Sequence, residues 1–156
     1  MRIHLLAVGE RMPAWVVEAY REYAGRLPGE CSLHLKEIPA NRRGRNADLA
    51  RIAEAEGARM LDAIPKDCQV VALDERGRTF STAELSKCLD DWMHAGRDVA
   101  LLVGGPEGLT AACRARADLV WSLSPLTFPH PLVRVIVAEQ IYRAWSLLRG
   151  HPYHRE

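Results

Sequence analysis

Apolar and polar positions alternate along the chain with two different periods, and the changes of period mark out its elements. Ile3 to Val8 is an apolar run closed by Gly9, the pattern of a strand. Pro13 suits the first turn of a following helix, in which Trp15, Val16, Ala19, Tyr20 and Tyr23 keep helical spacing to about Gly25. Pro28-Gly29 punctuates, and Ser32 to Ile38 alternates as a strand with one wet face. Pro39 to Asn46 is a loop carrying Arg42, Arg43 and Arg45 around Gly44. Asp48 to Ile64 predicts a helix with Leu49, Ile52 and Ala53 on one face, although Gly57 weakens it.

Cys68 to Leu73 is a β-rich apolar run, and Ser81 or Thr82 can cap the next helix, with Leu85, Leu89, Trp92 and Met93 inward. Val99 to Val103 is apolar without alternation, as in a strand buried on both faces of a parallel sheet. The turn Gly104-Gly105-Pro106-Glu107-Gly108 follows, then a short helix capped by Thr110 to about Arg116, and a strand from Leu119 to Leu123. Ser124 to His130 is a proline-rich loop, and Pro131 to Leu148 is a last helix that is apolar almost all round. A helix with so little polar face needs cover on several sides, which predicts a homodimer formed through it. Arg149 to Glu156 is a polar tail.

Strands alternating with helices imply an α/β fold with a mostly parallel sheet in one domain, the size expected of 156 residues. Composition narrows the class. The chain is 48% hydrophobic and 26% charged, which excludes disordered and collagen-like chains. With 21 basic against 20 acidic residues, any nucleic-acid contact must come from a local patch. Cys31, Cys68, Cys88 and Cys113 form no C-x-x-C and read as small buried hydrophobes in a reducing compartment. The first ten residues are too short an apolar run for a signal peptide, and no run approaches about 20 apolar residues, so the cytoplasm is expected and no membrane span.

Several α/β chemistries fall away. The turn after the first strand holds a single glycine, not G-x-G-x-x-G, and the P-loop and nucleophile-elbow patterns are absent. His151 and His154 lack a nearby third ligand, so no metal site is expected. The glycine-rich turn comes late instead, after the fourth apolar strand. On its own it reads equally well as a plain strand-to-helix turn. A second loop, Leu123 to Phe128, follows the next strand, and two such loops at one end of a parallel sheet make the crevice where these folds bind ligands. An apolar, glycine-lined crevice suits a flat adenine ring.

Leu102-Val103-Gly104-Gly105-Pro106-Glu107-Gly108, Trp121-Ser122-Leu123-Ser124, Pro129-His130-Pro131-Leu132-Val133-Arg134 and the ending His151-Pro152-Tyr153-His154-Arg155-Glu156 together resemble the RlmH family of SPOUT-class methyltransferases of large-subunit ribosomal RNA. The resemblance runs the full length, through Met12-Pro13-Ala14-Trp15 and Pro39 to Asp48 as well. It implies an α/β knot, with the C-terminal part tied in a trefoil, a rare exception to unknotted topology. It further implies S-adenosyl-L-methionine as methyl donor, bent in the knot crevice, and a homodimer whose partner chain completes each site. The implied substrate is N3 of a pseudouridine in helix 69 of 23S rRNA, within the assembled 70S ribosome. A related methyltransferase acting on another rRNA site or on tRNA is an alternative, as is a non-catalytic ribosome-binding factor; the retained Gly104, Gly105 and Gly108 argue against the last.

Carried onto this sequence, the cofactor site is Leu73, Gly104 and the run Leu123, Ser124, Pro125, Leu126, Thr127, Phe128, held mostly by backbone, and a Cβ at Gly104 is expected to intrude on the cofactor. The imide N–H of a pseudouridine is a poor nucleophile until its proton leaves, so the site needs a base or a stabilising cation. Glu139, Arg143, Tyr153 and His154 are the candidates, with Arg143 orienting the base or stabilising the anion and His154 or Glu139 taking the proton. Glu139 and Arg143, four apart, read on spacing alone more readily as an ordinary intrahelical ion pair, but on so apolar a helix a charged pair is expected to border a site or the dimer seam. Arg42, Arg43 and Arg45 are the candidate phosphate contacts, against the alternative of a solvated loop.

Overall fold

The computed structural model describes residues 1–155. Five strands, β1 (Arg2–Val8), β2 (Ser32–Ile38), β3 (Gln69–Thr79), β4 (Val99–Val103) and β5 (Leu119–Ser122), form one sheet in the order β2-β1-β4-β3-β5. Every pairing is parallel, with Leu5 opposite Leu101 and Val71 opposite the same residue from the other side. Parallel strands need crossovers, and the helices α1 (Ala14–Ala24), α2 (Leu49–Ala63), α3 (Thr82–Ala95), α4 (Ala111–Arg116) and α5 (His130–Leu148) supply them and the C-terminal layer.

The pleat sorts the core into two halves. Ile3, Leu5, Ala7, Val99 and Leu101 face Tyr20 of α1, Leu89 and Trp92 of α3, and Val137, Ala138 and Ile141 of α5. Leu6, Val8, Val70, Ala72 and Leu102 face Met60 of α2 and Cys113 of α4. All five residues of β4 are buried, as the unbroken apolar run requires of a strand covered on both faces.

Some expected details differ. Pro13 stands just outside α1 in an extended conformation, because its own φ fits a helix start but its ψ of 149° does not continue one. Leu49 is 49% exposed, since the first turn of α2 continues the exposed loop; the face that turns inward is Ile52, Glu56, Gly57 and Met60. Ser81, not Thr82, caps α3, through a reciprocal capping box with Glu84. β5 ends at Ser122. β3 runs past Leu73 to Thr79, with both Leu73 and Arg78 in register with Trp121, so residues 74–77 bulge out of the sheet. Gly77 permits this rejoining: a Cβ there would lie 2.6 Å from the Val120 carbonyl carbon. The tail is folded, with a short 3-10 helix, Pro152–Arg155, against α5. No helix among the described residues is long and apolar enough to cross a membrane.

Candidate functional site

The carboxyl ends of β3, β4 and β5 open onto a cavity of about 710 Å³, within the roughly 300–1,000 Å³ typical of small-molecule sites. Each strand delivers one wall. The β3 bulge brings Asp74, Glu75 and Arg76; the turn after β4 brings Gly104 to Gly108; the loop after β5 brings Leu123, Ser124, Leu126, Thr127 and Phe128. The first turn of α5 closes the floor with His130 and Val133. Of the expected cofactor residues, Leu73, Gly104, Leu123, Ser124, Leu126, Thr127 and Phe128 line this cavity, and Pro125 lies just outside the lining.

The walls hold themselves in shape by short hydrogen bonds. Gly108 N–H donates to the Gly105 carbonyl at 2.9 Å, and Gly108 has a φ of +77°, a conformation that favours glycine. A Cβ on Gly104 would stand 2.7 Å from Leu109 N and 2.6 Å from the Gly108 carbonyl oxygen. The glycine is therefore demanded by the turn's own backbone, independently of any bound cofactor. In the last loop the Ser124 hydroxyl accepts from Leu126 N–H at 3.0 Å, and the Ser122 hydroxyl donates to the Ser124 carbonyl at 3.0 Å.

This lining fits the expected group. Leu73, Leu123, Phe128 and Val133 give apolar faces that suit a flat heterocycle, and Asp74 and Glu75 bring carboxylates that suit a cationic sulfonium or ammonium. His130 is a further functional candidate that the sequence did not single out. Its Nδ1 is shut off from solvent with no hydrogen-bond partner. Burial, and next the Arg134 and Arg43 guanidiniums, hold its pKa below the usual histidine value, so the imidazole stays neutral near neutral pH.

The expected catalytic residues gather elsewhere. Glu139 accepts from Tyr153 Oη at 2.8 Å, from Arg143 Nε at 2.9 Å and from Gln140 Nε2 at 2.6 Å. Burial and the bond to Glu139 push the Tyr153 phenol well above its ordinary pKa, so Tyr153 is a donor here and not a base. His154 Nδ1 lies 2.5 Å from the His151 carbonyl, which fixes its proton on Nδ1 and leaves Nε2 as the basic nitrogen. Tyr153 packs on Tyr142, with ring centroids 4.7 Å apart, and Arg143 lies over its face. None of the four lines the cavity. Along α5, Glu139 is nine residues from His130, about 13 Å at helical rise, and Arg143 is about 20 Å away.

The arginine loop divides too. Arg42 and Arg45 are exposed. Arg43, expected beside them as a phosphate contact, turns inward to Glu56 and Glu107 at 2.7 and 2.5 Å, because the carboxylate of Glu56 is buried and requires a counter-charge.

Comparison with known proteins bears on family and fold. The family described as "Predicted SPOUT methyltransferase" matches residues 1–154. The chain is 86% identical over 156 residues to the "Ribosomal RNA large subunit methyltransferase H" of Thioalkalivibrio sulfidiphilus, covering 100% of both. It is 63% identical over 155 residues to the protein of that name from Alkalilimnicola ehrlichii, covering 99% of each. Among solved structures, the "Probable Methyltransferase" of Bordetella pertussis superposes with a TM-score of 0.56 at 14% identity, over 92% of this chain and 95% of that one. A Legionella pneumophila protein, solved in complex with the bound cofactor SAM, superposes with a TM-score of 0.50 at 11% identity, over 92% and 66% of the two chains. At these identities the superpositions bear on the fold alone.

Proposed function

The chain belongs to the SPOUT methyltransferase family, and from that premise we propose that it methylates N3 of a pseudouridine in helix 69 of 23S rRNA, using S-adenosyl-L-methionine, within the assembled 70S ribosome. The observation that carries methyl transfer is the cavity at the strand ends, whose walls combine apolar faces with carboxylates. Full-length similarity to proteins named for the large ribosomal subunit supports the RNA class. The knotted C-terminal topology and the cytoplasmic location belong to the same reading.

When bound, the donor supplies a methyl group already activated by a sulfonium. The protein's own work is to orient the acceptor and remove its proton. Leu73, Gly104 and residues 123–128 hold the cofactor, largely through backbone. Asp74 and Glu75 complement its positive charge. Arg42 and Arg45, exposed on one loop, meet phosphates.

Proton removal needs a second chain. The Glu139–Arg143–Tyr153 group is too far along α5 to serve the cavity of its own chain. In a two-fold dimer with α5 antiparallel to its copy, the N-terminal turn of one helix meets the C-terminal end of the other. The partner subunit's Arg143 and the partner subunit's His154 then stand at the cavity mouth, where the guanidinium stabilises the imide anion and His154 Nε2 takes the proton. Partly exposed Leu132, Ile136 and Leu147 on α5, and Trp15 of α1 at 56% exposure, supply apolar surface for that interface.

The test is methyl transfer from radiolabelled S-adenosylmethionine to 70S ribosomes, separate subunits and naked rRNA from cells lacking this protein. Label in a 23S rRNA pseudouridine, only from 70S particles, is expected. Label in tRNA or at another rRNA position would replace the substrate, and binding to ribosomes without any transfer would point to a non-catalytic factor.

A further inference from the structure

We propose that Arg43 is a positioning residue that pins the cofactor turn to helix α2, an inference that rests on reading the cavity as the cofactor site. The turn Gly104 to Gly108 has little to fix it from within, since three of its five residues are glycine and its internal hydrogen bond is the single Gly108-to-Gly105 contact. Arg43 supplies the missing constraint from outside. Its Nε–H donates to both Glu107 oxygens at 3.1 Å, and Nη2 donates to Glu107 Oε2 at 2.5 Å and to Glu56 Oε1 at 2.7 Å. Nη1 donates to Glu56 Oε2 at 3.0 Å and to the Asn41 carbonyl at 3.1 Å.

The planar guanidinium thus faces two carboxylates at once, one on the turn and one on α2. Glu56 is 3% exposed and also accepts from Asn41 N–H at 2.9 Å, so this end of the bracket is anchored. The Glu107 carboxyl is held below the usual carboxylate range chiefly by its bond to Arg43. Gly105 makes room for the bracket: a Cβ there would lie 3.3 Å from Arg43 Nη2 and 3.1 Å from Val8 Cγ1. A lysine offers a point charge and no fork, so it can answer Glu56 but not both carboxylates. The loop that presents Arg42 and Arg45 is thereby joined to the cavity rim by one side chain, and Arg43 itself does not line the cavity.

The variants are Arg43→Lys, Glu107→Gln and the double substitution, with circular dichroism to verify folding. Hydrogen exchange of backbone amides 104–109 is read without ligand, and S-adenosylmethionine affinity by calorimetry. Each single variant is expected to speed exchange in that segment and to weaken cofactor binding about 10-fold, the scale of a lost charge-assisted bidentate contact. The double variant is expected to be no worse than either single one, because both remove the same link. Wild-type exchange and affinity in Arg43→Lys overturn the proposal. So do single effects that multiply, which would mean that Glu107 acts on the cofactor directly. If Arg43→Lys does not fold, exchange in Glu107→Gln decides, since that variant keeps the Arg43–Glu56 pair. A wild-type protein that binds no cofactor would overturn the methyltransferase reading, while the exchange measurement still judges the bracket.

Discussion

His130 shows how much of the site's chemistry is set by neighbours that no local spacing reveals. It reads as the end of the proline-rich loop before the last helix, yet the fold puts it between the cavity and two guanidiniums. Its folded pKa is lowered from the ordinary 6.5. Below about pH 6.5 the unfolded chain therefore takes up this proton before the folded chain does, and stability falls with falling pH until the folded group also protonates. Denaturant unfolding of wild type and His130→Gln at pH 7.5 and pH 5.5 reads this directly. Wild type is expected to lose more stability across that interval than the variant; equal losses would remove His130 as a buried neutral group.

The arginine loop carries the same lesson. Three arginines in four positions read as one basic patch, and nothing in that spacing tells that Arg43 answers Glu56 and Glu107, which lie 13 and 64 residues further on. By contrast, the glycine turn and the loop at 123–128 were legible, because glycine and proline mark turns by backbone geometry alone.

At the level of elements, periodicity located every α-helix and strand among the described residues to within a few residues, except where β3 continues beyond Leu73, while the folded 3-10 turn of the tail went unread. There Asp74-Glu75-Arg76-Gly77 is polar and ends the apolar run, so the sequence reads as a strand end. The strand resumes only because Gly77 lets two backbones meet, a tertiary fact. Gly57 is the parallel case in a helix. It weakened the expectation of α2, and the structure supplies the reason for it: a Cβ would lie 2.9 Å from both Thr110 Cγ2 and Oγ1. Thr110 caps α4 by accepting from Cys113 N–H at 3.2 Å, so displacing it also costs the cap. Alanine would gain about 1 kcal/mol of helix propensity there. Overpacking together with cap loss outweighs that, and Gly57→Ala is expected to destabilise the fold by about 1–2 kcal/mol net in urea unfolding. A stabilised variant would show that α2 and α4 are not in such close contact.

For the molecule as a whole, the proposed cofactor cavity and the proposed catalytic group lie at different levels of one helix. The cavity lies at the first turn of α5, and the Glu139–Arg143–Tyr153 group with the folded tail lies toward its end. Arg143 lies 13 residues beyond His130, about 20 Å at helical rise, and the tail folds back on α5 as far as Glu139 without lining the cavity. Methyl transfer as proposed therefore needs two chains at each site. Its most direct test mixes two inactive proteins: Gly104→Val, whose cofactor turn is broken, and Arg143→Ala/His154→Ala, whose tail is disabled. After subunit exchange, half of the dimers are mixed, and each mixed dimer holds one intact composite site. Methyl transfer to ribosomes is expected to return to roughly one quarter of wild type, by the statistics of a symmetric dimer. Two parents that stay inactive when mixed, with exchange verified by a tagged subunit, would contradict it.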